Sequence, residues 1–239
     1  MDRSATFKGE SMIYDQLARY YDALVGDDEA CRMWEEFVKK HVKPCKMLEL
    51  ACGSGEITNA LYQDGYDILA TDISEAMINV LIKKYPYIKT QILDMNNFKM
   101  DEKYDSVICF CDSINYLMDY HQMVDSVYDV LNDHGIFMFD MHTLDRIKEF
   151  EDEYIEEGYL DDIPYQWTIT SYFNQIHQHF AFYCDNSVLQ EQHVQYVFDS
   201  NEVIDYLKQK GFKVKVYTDF VLDGIQNGEK IFIVGEKIC

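Results

Sequence analysis

The sequence predicts an α/β protein with a doubly wound, mostly parallel sheet and a small inserted antiparallel β-sheet. Three observations carry that prediction. Between about residues 46 and 141, short apolar strand-like runs alternate with helix-like ones. A glycine-containing turn, Gly53-Ser54-Gly55, follows the first of those strands. After about residue 160 the rhythm changes to segments alternating with period two, as half-exposed antiparallel strands do.

In order along the chain, apolar residues at helical spacing (Met12, Leu17, Tyr20, Tyr21, Leu24) predict a helix over 11–24. A second is expected over 29–41, stopped by Pro44. Residues 46–52 read as a buried strand, and 56–63 as a helix with Gly65 just past its end. A strand over 67–71 and a helix over 75–85 follow, the helix capped by Ser74. Strands are expected at 88–93 and 106–111, the second almost wholly apolar and so covered on both faces. On that strand Cys109 and Cys111 would share one face. A helix over 120–131, closed by Gly135, leads to a strand over 136–141. Three antiparallel strands are then expected at 165–173, 177–184 and 191–198. A helix over 201–210, ended by Gly211, and strands at 213–220 and 230–237 close the chain.

These elements predict a single domain over 1–239. N-terminal lid helices would fill 1–43, a cofactor-binding core 44–142, the insert 160–200, and the closing helix and strand pair 201–239. Charged residues at 27% and hydrophobic ones at 48% fit a globular chain rather than a disordered one. The 43 acids against 21 bases give a formal charge of −22. Nucleic acid and anionic membranes need cationic faces to displace counterions, so neither is an expected partner. No apolar run reaches the ~20 residues of a membrane span. Met1–Glu10 lacks the apolar core of a secretory signal. Seven scattered cysteines without a CxxC pair suit reduced thiols, so a cytoplasmic protein is expected, monomeric or homodimeric.

The most informative stretch is Glu49-Leu-Ala-Cys-Gly53-Ser-Gly55-Glu-Ile-Thr58, at the first strand-to-helix turn, where open α/β sheets bind their ligands. Glycines there let backbone approach a ligand closely. Asp72, 19 residues after Gly53, ends the next strand at an offset suited to ribose hydroxyls. A dinucleotide fingerprint would place Gly or Ala where Thr58 stands. Glu49 would repel a pyrophosphate and attract an ammonium, so S-adenosylmethionine is favoured over a nicotinamide cofactor.

With those residues in place, the chain resembles the class I, seven-stranded S-adenosylmethionine-dependent methyltransferases. The match runs through ELACGSGEIT, TDIS at 71–74, LDMNNF at 93–98, YDSVICFCDSINYL at 104–117 and GIFMFDM at 135–141. Cys52 to Glu56 departs from it only in lacking a third small residue. The resemblance implies that Glu49, Ala51, Gly53 and Gly55 surround the methionine part of the cofactor. It places Asp72 on the ribose, Ile73 on the adenine, and Asp94 on the adenine amino group with Met95 beside it, and counts Met77 among the cofactor-binding residues. It sets Cys111 and Asp112 near the methionyl end. A Y-x-x-x-A-x-Y-Y-D pattern, Tyr14 to Asp22, resembles the family's lid helix, with Tyr14 and Tyr21 facing the pocket. The inserted sheet resembles that of sugar amine and glycine-type N-methyltransferases.

Methyl transfer is an in-line displacement in which alignment does most of the work. A base is needed only for an acceptor that arrives protonated. His142, after the fifth strand and beside Asp140, is the expected acceptor contact with Tyr14. The insert supplies Trp167, Tyr172, His177, His179 and His193. His177 and His179 share a strand face, but without a third ligand no metal site is expected. The expected activity is methylation of a small-molecule acceptor at nitrogen or oxygen. The alternatives are a non-catalytic S-adenosylmethionine-binding regulator and a tRNA-modifying methyltransferase, the latter opposed by the charge.

Overall fold

The computed structural model describes residue 24, residues 28–185 and residues 187–238. Helix α1 (Asp28–His41) precedes β1 (Lys46–Glu49), α2 (Glu56–Gln63), β2 (Asp67–Asp72), α3 (Glu75–Lys84) and β3 (Lys89–Ile92). Then come β4 (Tyr104–Cys109), a short 3₁₀ turn (Ser113–Tyr116), α4 (His121–Val130), β5 (Leu131–His142) and α5 (Asp145–Glu149). A second run of strands, β6 (Tyr154–Leu160), β7 (Ile163–Tyr172), β8 (Gln175–Cys184) and β9 (Ser187–Tyr196), precedes α6 (Ser200–Lys210), β10 (Phe212–Thr218), β11 (Leu222–Asp223) and β12 (Lys230–Lys237).

The central sheet has the order β11-β10-β12-β5-β4-β1-β2-β3. Strands β1 to β5 are parallel to their neighbours, and β12 runs antiparallel between β5 and β10. Seven full strands thus match the expectation, and the eighth is a two-residue edge pairing with β10. Period-two alternation sends strand side chains to opposite faces. Val107, Cys109, Phe137, Phe139 and Ile233 bury against α4 and α6. Met47, Ile108, Met138 and Phe232 bury against α1, α2 and α3. The second sheet, β6-β7-β8-β9, is wholly antiparallel, and Leu24 packs on its Phe180–Phe182 cluster.

Several expectations need correction. The insert has four strands, beginning at Tyr154; β6 is acid-rich and largely exposed, so its apolar pattern is weak. Strand β4 ends at Cys109, because Cys111 and Asp112 turn into the left-handed region at φ 57° and 49°. Cys111 therefore shares no strand face with Cys109. Gly135 does not close α4, which ends at Val130. Leu131 already pairs with Tyr104, and residues 132–135 bulge before pairing resumes at Ile136. The strand expected to reach residue 220 stops at Thr218, since Asp219 and Phe220 also adopt positive φ. The caps at Ser74 and Gly211 are as expected: Ser74 Oγ accepts the Met77 N–H, and Gly211 is left-handed at φ 103°.

Candidate functional site

The loop between β1 and α2 is wound through the left-handed region at Ala51, Gly53 and Gly55. Its two ends are tied beneath it: Thr58 Oγ1 donates to Glu49 Oε2 at 2.5 Å, and Thr71 Oγ1 donates to the Glu49 carbonyl at 2.7 Å. At the end of β2, Asp72 accepts the Gly53 N–H at 2.9 Å and the Ser74 N–H at 2.8 Å. Burial pushes the Asp72 carboxyl up, while these backbone N–H groups pull it down. Burial pushes Glu49 up to about 8, against the Thr58 hydrogen bond. A Cβ built on Gly53 meets no described atom within 4 Å, whereas one on Gly55 meets Leu81 Cγ at 2.6 Å. Gly53 thus borders open space, and Gly55 permits close packing of α3.

This loop forms one side of a cavity of about 410 Å³. Ala51, Gly53, Gly55, Asp72, Ile73, Met77, Met95, Cys111, Asp112 and His142 all line it, so most of the expected site residues are brought together. Glu49 lies buried behind the loop, outside the lining. Asp94 is exposed and accepts the Asn96 N–H at 2.8 Å as a turn cap, so the structure does not bring its carboxylate to the cavity. Tyr14 and Tyr21 lie outside the described residues.

The floor of the cavity holds a charged network. Lys230 Nζ contacts Asp112 Oδ1 and lies 3.0 Å from Asp140 Oδ2. Lys230 and His142 outweigh the burial of Asp112 and hold its carboxyl well below the usual range. Burial raises Asp140 despite Lys230, and its Oδ1 has no hydrogen-bond partner among the described residues. His142 Nε2 sits 3.3 Å from Asp112 Oδ2 and 3.1 Å from Gln195 Oε1, while its main-chain N–H donates to Asn115 Oδ1. His142 is 6% exposed, and its Nδ1 has no partner among the described residues.

From this floor a polar chain climbs into the second sheet. Gln195 Nε2 donates to Asp112 at 2.7 Å, Gln178 Nε2 donates to Gln195 at 2.7 Å, and Trp167 Nε1 donates to Gln178 at 3.2 Å. Beside it, Tyr116 OH lies 2.9 Å from His193 Nδ1, and His193 Nε2 lies 2.7 Å from Glu191 Oε1. Trp34, Phe150, Ile169, Ile176 and Phe180 supply the apolar wall. The described residues contain no cluster of three or more His, Cys, Asp or Glu side chains able to hold a metal ion. No described helix is long and apolar enough to cross a membrane.

Reading the sequence missed Lys230, Gln195, Gln178 and Tyr116. For Lys230 a signal existed. The last strand of a sheet with this topology runs antiparallel, so its first residue arrives where the parallel strands end, and Lys230 pairs with His142.

Residues 47–135 match the family described as Methyltransferase domain, a stretch covering β1 to the start of β5. Over 95% of its length the chain is 27% identical to YqeM of Bacillus subtilis (strain 168), a protein provisionally named a methyltransferase, and covers 98% of it. An S-adenosylmethionine-dependent methyltransferase from Clostridium acetobutylicum ATCC 824 shares the fold with a TM-score of 0.81. That match covers 95% of this chain and 99% of that one at 20% identity. The sugar N-methyltransferase KedS8 from Streptoalloteichus sp ATCC 53650 shares it with a TM-score of 0.75, over 100% and 99% of the two chains at 18% identity. This chain carries a methyltransferase domain on a class I fold, and it is an S-adenosylmethionine-dependent methyltransferase.

Proposed function

We propose that this enzyme transfers the methyl group to a nitrogen or oxygen of a small-molecule acceptor held between the central sheet and the second sheet. The observation that carries this reading is the composition of one cavity. Its sheet side offers a glycine loop and an acid at ribose offset, and its opposite side offers imidazole, amide and phenol groups set among aromatic rings. About 410 Å³ suits small molecules rather than a macromolecular segment.

The residues fit the cofactor. The open space beside Gly53 accommodates a ligand where a Cβ would project, and Asp72, fixed by two backbone N–H groups, has lone pairs left for ribose hydroxyls. Ile73, 43% exposed, and Met95 offer apolar surface to an adenine. Glu49 lies behind the loop, where burial favours its neutral form, and an ammonium bound beside it would draw it into the ionised form as a countercharge. When bound, S-adenosylmethionine supplies a methyl carbon already activated by its sulfonium. The chain then has to align and dry the acceptor, an orientation effect that contributes up to roughly 7–11 kcal/mol. His142, fixed through Nε2 by Asp112 and Gln195, lines the cavity and would contact the acceptor from there. Sugar amines are the leading candidates because KedS8 is a sugar N-methyltransferase of the same fold.

Calorimetry with S-adenosylmethionine, its demethylated product and NAD tests the cofactor side; binding of NAD alone overturns it. Screening amines, amino sugars and hydroxylated metabolites for methylated product tests the acceptor side. Methylation confined to nucleic acid overturns the small-molecule reading.

A further inference from the structure

Two amide side chains cross between strand β9 and the core in opposite directions. Asn115, fully buried on the 3₁₀ turn of the core, donates through Nδ2 to the Tyr196 carbonyl at 2.7 Å and accepts the His142 main-chain N–H at 3.0 Å. Gln195, 1% exposed, reaches the other way, from β9 to Asp112 and to the His142 ring. Buried polar groups are costly unless bonded, and both of these amides are bonded across the seam. We propose that Gln195 is a positioning residue for methyl transfer: from the second sheet it holds the Asp112 carboxylate and keeps His142 as the tautomer with hydrogen on Nε2. The proposal rests on the reading of this cavity as the acceptor site.

Donor directions along this chain of side chains are set from both ends. The Trp167 indole N–H can only donate, so the Gln178 oxygen 3.2 Å away accepts it. That leaves the Gln178 nitrogen to donate to Gln195 Oε1 at 2.7 Å. At the other end an ionised Asp112 can only accept, so Gln195 Nε2 donates to its carboxylate at 2.7 Å and lies 3.5 Å from its carbonyl. A flipped Gln195 amide would set oxygen against both of those oxygens, and nitrogen against nitrogen at Gln178. Gln195 Oε1 therefore faces His142 Nε2 at 3.1 Å as an acceptor, and Asp112 Oδ2 is a second acceptor at 3.3 Å. Nε2 carries hydrogen whether the ring is neutral or charged, and His142 exchanges its proton only at Nδ1.

Gln195 borders the cavity, but its oxygen accepts twice and its nitrogen is spent on Asp112, so it acts through its neighbours. Asn115 pins the His142 main chain, which leaves ring rotation as the freedom that Gln195 removes. His142 and Asp112 both line the cavity, so a slip of either moves the wall against which an acceptor aligns. The titratable groups around this seam are Asp112, then Asp140 and His142 on β5, Lys230 on β12, and Glu191 and His193 on the same face of β9 as Gln195.

The test uses Gln195→Leu and Gln195→Glu in the full chain, with circular dichroism checking the fold at each pH. Histidine ¹⁵N spectra, with His142 assigned through His142→Ala, should show hydrogen on Nε2 in the wild type and a mixture of tautomers in Gln195→Leu. Hydrogen on Nδ1 of the neutral wild-type ring, or an unchanged His142 spectrum in Gln195→Leu, overturns the proposal. These spectra need no ligand, so failure of the wild type to bind S-adenosylmethionine would sink the reading of the site separately. On the acceptor found by the screen above, Gln195→Leu should lower kcat by about 10²-fold, as small misplacements do, with S-adenosylmethionine affinity within about threefold. In Gln195→Glu the introduced carboxyl is kept protonated at pH 6 by burial and by Asp112 beside it, and then donates and accepts as the amide does. Its kcat should lie within about tenfold of wild type at pH 6 and fall toward that of Gln195→Leu at pH 9, where a second carboxylate opposes Asp112. A ratio of variant to wild type that stays flat over this range in folded protein overturns the proposal, since a packing role alone is indifferent to that proton.

Discussion

Thr58 Oγ1 donates to Glu49 Oε2 across 2.5 Å inside the core, so the third residue of α2 holds the last residue of β1. Burial raises Glu49 to about 8 from 4.5. For an acid whose folded value is raised, the stabilising state is the protonated one. Its contribution is complete below about 4.5 and is lost as pH climbs through about 8. Glu49→Gln should therefore gain thermal stability relative to wild type between pH 5 and pH 9. Parallel melting curves across that range would contradict the assignment.

Asp72 joins the loop to β2 through Gly53 and faces the cavity. Asp72→Ala should weaken S-adenosylmethionine binding by roughly 1.5–3 kcal/mol, the usual worth of a hydrogen bond to a charged group. Isothermal calorimetry measures it directly, and an unchanged affinity removes Asp72 from the ribose site.

The two loop glycines should fail in different ways. Gly55→Ala drives a Cβ into Leu81 at 2.6 Å in a backbone at φ 88°, and should cost about 1–3 kcal/mol of stability. Gly53→Ala has room, so its cost should stay near the ~1 kcal/mol of a left-handed alanine. Its penalty should appear in cofactor affinity instead. Melting temperature and calorimetry on the pair separate these outcomes.

His142→Ala should reduce turnover at least tenfold on the acceptor while leaving cofactor affinity within about twofold. Its Nε2 is occupied by Asp112 and Gln195, and the residue lines the cavity where the acceptor would lie. Full turnover on that acceptor rejects the contact.

Lys230→Met strands Asp112 and Asp140 without their cation. Removing one partner of a buried ionic cluster costs about 3–5 kcal/mol. Lowering the pH toward 5 should shrink that loss, because the stranded carboxyls then protonate. Urea unfolding at pH 7.5 and pH 5 reads both effects.

Much of the parallel half of the fold was legible because β1, β2 and β4 are largely covered on both faces and α3 carries a clear cap at Ser74. Elements lying on exposed surface were harder to read: β6 spends its sequence on acids, and the 132–135 bulge has no apolar period. In the site, Gly53 and Asp72 follow a local spacing, and both line the cavity. Tyr116, Gln195 and Lys230 come together only through pairing between segments about 80 to 120 residues apart, which no local window contains. Asp94 shows the opposite case: it follows a local spacing, yet its carboxylate stands exposed, outside the cavity lining.

The walls of the cavity come from different stretches of chain. Residues 51–77 line the sheet side, while Phe150, Trp167, Phe180 and His193 line the other. Because the second sheet is contiguous, running from Tyr154 to Tyr196 between two strands of the core, it can be exchanged as a cassette. Grafting that cassette from a relative with a known acceptor should transplant substrate preference while the cofactor half is inherited unchanged. Selectivity and methyl-donor chemistry would then evolve on separate clocks within one chain.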